Sequence, residues 1–343
     1  MLTIYSDEHH LHYGQSELND GELMPCFECP ARADNVLAAV RELGIGDIVA
    51  PRDFGRDPLA RVHSEAFLSF LENAWPMWQA EGRDCDALPL IWPVRGLRQV
   101  EPPGIDGKLG FFSMDAGTPI TAGTWQAVTT GANVCLTGAA SLVDGERSAF
   151  ALSRPPGHHA SSDCMGGYCY LNNAAIAAQF LRDNGAGHIA IVDVDYHHGN
   201  GTQSIFYERD DVLFLSIHAD PVQEFPYFLG FADETGAGAG RGFNGNYPLP
   251  WGTEAPAWFA ALGDCLERVE SFAPDAIVVS LGVDTFKDDP ISQFRLQHAD
   301  YLKVGESFAQ SGRPVLFILE GGYAVDDIGI NVANVLRGFH ENQ

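Results

Sequence analysis

Five short runs of apolar, largely β-branched or aromatic residues stand out along the chain, each closed by polar or charged side chains: residues 149–153, 189–195, 212–218, 276–284 and 315–320. Polar and apolar positions do not alternate within them. Such continuous runs suit strands covered on both faces, as in a parallel sheet. Between them, residues 172–184, 255–272 and 299–310 read as helices. Strand and helix in alternation predict an α/β fold: one doubly wound domain over residues 1–343, with a mainly parallel central sheet flanked by helices. No internal repeat or low-complexity linker divides it.

Two stretches depart from this rhythm. Residues 82–124 are rich in proline and glycine without clear periodicity, and a stretch this long in a compact domain reads as a functional or interface loop. Residues 220–251 place glycines at 236, 238, 240 and 242. The spacing looks like a dinucleotide fingerprint, but that motif needs a strand before it and a helix after it. It reads as a loop instead.

In open parallel sheets, ligands bind beyond the carboxyl ends of the strands, and every apolar run here ends in reactive side chains. The first leads into Arg154-Pro155-Pro156-Gly157-His158-His159, and the second ends in Asp193-Val194-Asp195-Tyr196-His197-His198-Gly199-Asn200-Gly201-Thr202. The others end in Ser216-Ile217-His218, Gly282-Val283-Asp284 and Glu320-Gly321-Gly322-Tyr323. Asp195 and His197 lie two apart in an extended segment, so both side chains leave on one face. Asp284, from another strand end, can complete a three-ligand set with a coordination position left open for water. That is the pattern of a catalytic divalent site for zinc or ferrous iron, since hard-cation cages use oxygen alone. A single Asp-x-His would more simply be a helix cap beside a core histidine; Asp284 and the His158-His159 pair at other strand ends weigh against that.

His158 and His159 suit acid–base work near neutral pH. They point different ways, so each needs its own orienting partner, and Asp193 and Asn200 are available. Pro155-Pro156-Gly157 places the pair on a rigid turn. Tyr323 after Gly321-Gly322 can present a phenol O–H to an oxyanion, or simply pack as an aromatic. His218 has no assigned role.

Composition narrows the partners. The chain carries 20 basic and 46 acidic residues, a formal net charge of −26. Nucleic acid would need a local basic stripe, and the densest candidate, residues 93–98, offers only Arg95 and Arg98. Cationic small molecules or basic peptides suit such a surface, though acidity also serves solubility alone. A hydrophobic content of 45% excludes a disordered chain. No apolar run reaches the ~18 residues of a membrane span, and the first ten residues lack the basic and apolar regions of a secretory signal. Seven cysteines without scaffold-like spacing fit a reducing cytoplasm. Cys26-Phe27-Glu28-Cys29 has no second pair to complete a zinc knuckle and reads as incidental.

The motifs around Arg154–His159, Gly167-Tyr168-Cys169-Tyr170-Leu171-Asn172-Asn173, Asp193–Gln203 and Glu320–Tyr323 resemble the arginase-deacetylase superfamily. Within it they are similar to the zinc-dependent histone deacetylase family, most closely its bacterial acetylpolyamine amidohydrolase branch. The resemblance implies one zinc ion, or ferrous iron, held by Asp195, His197 and Asp284, and hydrolysis by a water activated there. It makes His158 and His159 the tandem acid–base pair, with His159 the proton shuttle and Tyr323 the oxyanion donor. Gly167, Tyr168 and Phe225 match tunnel-lining positions. Asp193, Asp195, His197, Ser216 and Ile217 match a structural potassium site built mainly from backbone carbonyls.

Two positions depart from relatives. Asn200 stands where members close to the eukaryotic class I enzymes carry an aspartate, and a neutral amide should raise the basicity of His159 less. Residues 82–124 match an insertion that, in polyamine deacetylases, closes over a partner subunit's site in a homodimer and holds a substrate ammonium with acidic side chains. Gly117 stands where a glutamate is expected, leaving Asp106 and Asp115 as the nearest acidic residues. The implied reaction removes acetyl from a small cationic amine such as acetylputrescine, acetylcadaverine or acetylspermidine. The alternatives are an acetyl-lysine protein deacetylase with a wider mouth and a non-catalytic acyl-amine receptor; the complete His158, His159 and Tyr323 set counts against the receptor. An arginase-like ureohydrolase would need a second metal and more aspartates.

Overall fold

The computed structural model describes residues 1–19 and 21–343. The strands are β1 (Leu2–Ile4), β2 (Glu17–Asn19), β3 (Glu22–Met24), β4 (Ile48–Val49) and β5 (Ser148–Ala151) in the first half. The second half adds β6 (Ile189–Asp193), β7 (Val212–Ala219), β8 (Asn244–Leu249), β9 (Ala276–Leu281) and β10 (Val315–Leu319). Eight of them form one sheet in the order β4-β1-β5-β10-β9-β6-β7-β8, every neighbouring pair parallel. β2 and β3 make a separate antiparallel hairpin.

The unbroken apolar runs exist because the sheet is covered twice. Along the central strands, alternate residues enter opposite cores. Ile189, Ile191, Val278, Leu316 and Ile318 pack with Val134 and Leu136 of helix Thr124–Val143 and Ala174 to Ala178 of helix Asn173–Asp183. Ala190, Val192, Ile277, Val279 and Phe317 pack with Trp258 and Leu262 of helix Ala255–Phe272. Helices His298–Ala309, Ile328–Asn342 and Pro30–Leu43 complete that second layer through Val304, Val335 and Val36. Burying each large aliphatic side chain is worth about 1.5–3 kcal/mol, so charged residues are kept to the strand ends and the turns beyond them, which is where the reactive residues stand.

The three anticipated helices are present within one residue at each end. The two irregular stretches are more structured than the sequence suggests. Residues 82–124 include a helix, Ile105–Phe111, and an antiparallel bridge between Ala87 and Ile120. Residues 220–251, read as a loop, end in β8, which pairs with β7. Asn-Gly-Asn-Tyr-Pro-Leu has little strand propensity; as an edge strand it needs only one neighbour, and its proline is tolerated there.

Candidate active site

The second strand end supplies most of the machinery. β6 terminates at Asp193, and helix Asn200–Phe206 starts seven residues later, so Asp195 and His197 sit in the connecting turn. The first backbone N–H groups of that helix have no helical acceptor; Gly201 and Thr202 donate theirs to the His158 carbonyl at 3.1 and 3.2 Å. Asn172, which caps helix Asn173–Asp183 through the Ala175 N–H, also donates to the Ala160 carbonyl and the Thr202 hydroxyl. The tandem-histidine turn is thereby tied to two helix starts.

Each histidine of the pair has the partner expected of it. His158 Nδ1 stands 3.0 Å from Asp193 Oδ2, and His159 Nδ1 stands 2.6 Å from Asn200 Oδ1. Their electrostatics differ. Burial opposes a charge on His158, but Asp195 and Asp193 outweigh it and push the ring up to about 10. Burial, then His158 and His197, hold His159 well below the ordinary histidine value. One ring carries a proton at neutral pH, and its neighbour is free to take one.

Asp195, His197 and Asp284 are buried together, with one donor atom from each within 4.8 Å of the others. His197 Nδ1 lies 3.1 Å from Asp284 Oδ2 and 3.4 Å from Asp195 Oδ1. Backbone N–H groups hold the carboxylates: Tyr196 donates to Asp284 Oδ1 at 2.8 Å and Gly321 to Asp195 Oδ2 at 2.8 Å. A Cβ on Gly321 would meet carboxylate oxygens of both aspartates at 2.5 Å, so only glycine lets the backbone approach this closely. Among the described residues no lysine or arginine pairs with either carboxylate. Burial and then Asp195 push Asp284 up to about 8, while His158 and His197, against the effect of burial, hold Asp195 below the usual carboxylate range. Two buried carboxylates and an imidazole with no lysine or arginine beside them fit a divalent ion, which would add positive charge to the site.

Tyr323 completes the floor. Its backbone N–H donates to Asp289 Oδ2 at 2.6 Å, and the Arg32 guanidinium lies 4.6 Å from its ring centre. Burial holds its phenol well above the ordinary value, so it remains an O–H donor. Among the described residues nothing accepts that O–H.

These groups open into a cavity of about 450 Å³ lined by His159, His197, Tyr323, Gly167, Tyr168, Phe225 and Asp115, with Glu17, Trp92, Gly117 and Glu224 also on its wall. The Phe225 ring meets His159 edge-on at 5.0 Å. Gly167 has a left-handed φ of +54°, and a Cβ there would meet the His159 ring at 2.2 Å. Asp115 is a wall bracket: it is partly buried and accepts from the N–H of Gly167 at 2.5 Å and of Gly117 at 2.9 Å, and from the Thr118 hydroxyl. Asp106 is not brought to the cavity of its own chain. It sits on helix Ile105–Phe111 with a half-exposed side chain ion-paired to Arg83. Ser216 is the β7 register partner of Asp193, and Ser216 and Ile217 are fully buried in the sheet. His218 bonds Ser216 Oγ and the Gly230 carbonyl, both at 2.8 Å, and belongs to that buried sheet end.

Several residues have roles that the sequence did not assign. Glu320 accepts from the N–H groups of Gly157 and His158 at 2.6 and 3.2 Å and so holds the tandem-histidine turn. Glu28, inside the Cys-x-x-Cys, bridges Arg154 at 2.7 and 2.9 Å and Arg32 at 2.9 Å. Arg32 in turn donates to the carbonyls of Gly322 and Glu320. Glu17 lies almost fully buried on the cavity wall, where burial pushes its carboxyl up to about 7; it accepts from Tyr168 Oη at 3.0 Å and from the Phe27 N–H. The presence of Glu28 two residues after Cys26 was the only local signal. All seven cysteines are free thiols.

Known proteins with this arrangement bear on its chemistry. The chain is 61% identical over 99% of its length to "Acetylpolyamine amidohydrolase 2" of Pseudomonas aeruginosa, covering 98% of that protein. It is 51% identical to "Acetylpolyamine amidohydrolase" of Mycoplana ramosa, covering 98% of this chain and 99% of that one. The crystal structure of the acetylpolyamine aminohydrolase from Burkholderia pseudomallei superposes with a TM-score of 0.95 at 39% identity, covering 99% of this chain and 98% of that one. The histone deacetylase domain matches residues 26–339, and with a deacetylase site assembled at the strand ends the chain belongs to the histone deacetylase family.

Proposed function

We propose that the protein hydrolyses the acetyl amide of small acetylated polyamines of the acetylputrescine, acetylcadaverine and acetylspermidine type, releasing acetate and the free amine. The observation that carries this reading is a neutral His159, a free Tyr323 O–H and the Asp195–His197–Asp284 set sharing the floor of one cavity whose wall is acidic. The relatives named for acetylpolyamine hydrolysis match over nearly the whole chain.

A divalent ion held by Asp195, His197 and Asp284, zinc or ferrous iron, would polarise the amide carbonyl and lower the pKa of the attacking water. His159, neutral and oriented by Asn200, takes the proton of that water and returns it to the leaving nitrogen. His158, hydrogen-bonded to Asp193 and lying beside His159, is placed to balance the negative charge that develops. Tyr323 donates to the carbonyl oxygen as it becomes an oxyanion. Phe225, Tyr168 and Gly167 form the narrow wall that holds the linear chain. Glu17, with one donor on each oxygen, faces the cationic tail in preference to Asp115, which already accepts three hydrogen bonds. Asp193, Asp195, His197, Ser216 and Ile217 would hold a structural potassium ion at the sheet end.

Residues 82–124 contribute Trp92, Asp115 and Gly117 to the cavity of their own chain. They also expose Leu90, Ile91, Val94, Leu97 and Val100, an apolar face we assign to a second copy of the chain in a homodimer of the cytoplasm. Leu97→Asp would then halve the mass in sedimentation equilibrium; an unchanged mass would refute that assignment. No helix among the described residues is long and apolar enough to cross a membrane.

The deciding test is kcat/KM of the zinc-loaded protein on acetylputrescine and on an acetyl-lysine peptide. A tenfold preference for the amine, about 1.4 kcal/mol of transition-state discrimination, supports the polyamine reading. The reverse preference makes the protein a peptide deacetylase, and activity on neither makes it a receptor.

A further inference from the structure

A second cluster of metal-ligating side chains lies outside the cavity, where the chain leaves β1. The 3-10 turn Asp7–Leu11 carries His9 and His10, and Asp34 faces them from helix Pro30–Leu43. One ring nitrogen of each histidine and one Asp34 oxygen all lie within 4.8 Å of one another. His10 Nε2 stands 3.0 Å from Asp34 Oδ1, and His9 Nε2 stands 3.5 Å from the same oxygen. Donors about 2.0–2.1 Å from a tetrahedral ion are roughly 3.4 Å apart, so these separations suit a shared ion.

His10 Nδ1 lies 2.9 Å from the Asp7 carbonyl, which can only accept, so Nδ1 carries a hydrogen; against the effect of burial the Asp7 carbonyl and Asp34 also raise the ring's hold on its second proton, and an ion would displace that proton from Nε2. Fixing one ring N–H on a carbonyl is how proteins orient a metal-binding imidazole. His9 is almost fully buried, and burial holds it down to about 4, so its ring is neutral. Its Nδ1 is buried without a hydrogen-bond partner, and its Nε2 touches only the Tyr5 hydroxyl at 3.0 Å and Asp34. The Tyr5 O–H is donated to Asp7, so His9 Nε2 carries the hydrogen toward Tyr5 and an ion would shift that hydrogen to the partnerless Nδ1. His10 and Asp34 are half-exposed, which leaves an entry path from solvent.

We propose that His9, His10 and Asp34 form a second transition-metal site, separate from the active site, that takes a borderline divalent ion such as zinc or nickel with water filling the remaining positions. Two imidazoles disfavour magnesium and calcium. A bound ion would clamp the Asp7–Leu11 turn to the helix that carries Arg32. The His9 carbonyl already accepts from Arg154 Nη1 at 2.6 Å, and Arg154 shares Glu28 with Arg32. Occupancy thus braces the scaffold behind Tyr323 without touching the reacting groups. The competing account is a plain His10–Asp34 ion pair beside a core histidine.

The two are separated by titrating zinc-loaded protein, cleared of free metal, with nickel in a calorimeter while zinc and nickel are counted in the same sample. One additional nickel per chain is expected with zinc retained, and the melting temperature should rise by a few degrees. His10→Ala, at an exposed position, and Asp34→Asn should each weaken nickel binding at least tenfold and remove the melting shift, again with zinc retained. No additional nickel in the native protein, or equal binding in both variants, would overturn the site. Reading zinc separately prevents exchange at Asp195, His197 and Asp284 from being mistaken for it.

Discussion

The floor of the cavity and its mouth are built on different principles. At the floor, every group that can touch the amide comes from a strand end or the turn beyond it, and each is held by a buried partner: His158 by Asp193, His159 by Asn200, Asp195 by the Gly321 N–H, Tyr323 by Asp289. At the mouth, the wall is assembled from the β2 region, from residues 82–124 and from the segment around Phe225, none of which belongs to the central sheet. The sheet holds the chemistry to the tolerance that proton transfer needs. The mouth selects what reaches it. Reaction class and substrate choice are thus carried by separate parts of the chain, and substitutions in the two regions should fail in different ways.

Floor substitutions should lose kcat with the fold retained. The largest effect is expected for Asp284→Ala, which removes one of the three proposed ligands: activity should fall to background and the zinc content of that site to zero. One catalytic zinc per chain in that variant would reject the ligand assignment. Tyr323→Phe should fold normally and lose roughly 10²–10³ in kcat, the usual cost of one oxyanion donor. His159→Ala should cost about 10² or more, and the loss should persist with an acetamide whose leaving group is already activated only to the extent that His159 serves as base. Near-native kcat in either variant would move that residue out of the machinery.

Mouth substitutions should act on KM and on charge selection. Glu17→Gln should raise KM for acetylputrescine about tenfold, near 1.4 kcal/mol for one charge-assisted contact, and leave a neutral alkylacetamide unaffected. An equal change on both substrates would deprive Glu17 of the ammonium role. Its pH dependence has a definite sign. With a folded value near 7, Glu17 gains its charge as pH rises through 7, so KM for the cationic substrate should fall from pH 6 to pH 8, and Glu17→Gln should flatten that profile. Because the folded carboxyl binds its proton more tightly than the unfolded one, Glu17 costs stability as pH rises from about 4.5 to 7. Calorimetric melting should therefore show Glu17→Gln gaining more on the native protein at pH 8 than at pH 5.

The same contrast separates what a reader of the sequence can and cannot see. The floor was legible because its residues lie in contiguous motifs at the ends of apolar runs: Asp193, Asp195 and His197 fall within five positions, and the pattern of buried strand followed by ligand is local. The β8 strand was missed because its residues carry no strand signal and pair only because β7 offers an edge. Asp106 looked as near to the substrate as Asp115, yet one points to Arg83 at the surface and the other is enclosed by Gly117, Thr118 and Gly167.

By itself the sequence determined the layered α/β architecture and its buried central strands, and it pointed to the residues proposed as the three ligands, the tandem histidines and the tyrosine. Hydrophobic runs and adjacent polar residues are short-range information, and each strand carries its own ligand to its own end. Tertiary structure alone decided which distant residues support them. Glu28 reaches Arg154 across 126 positions and Glu17 reaches Tyr168 across 151, pairings with no local periodicity. It also decided the protonation of each group, because burial and neighbouring charge, which set His158 up and His159 down, exist only once the chain has closed around them.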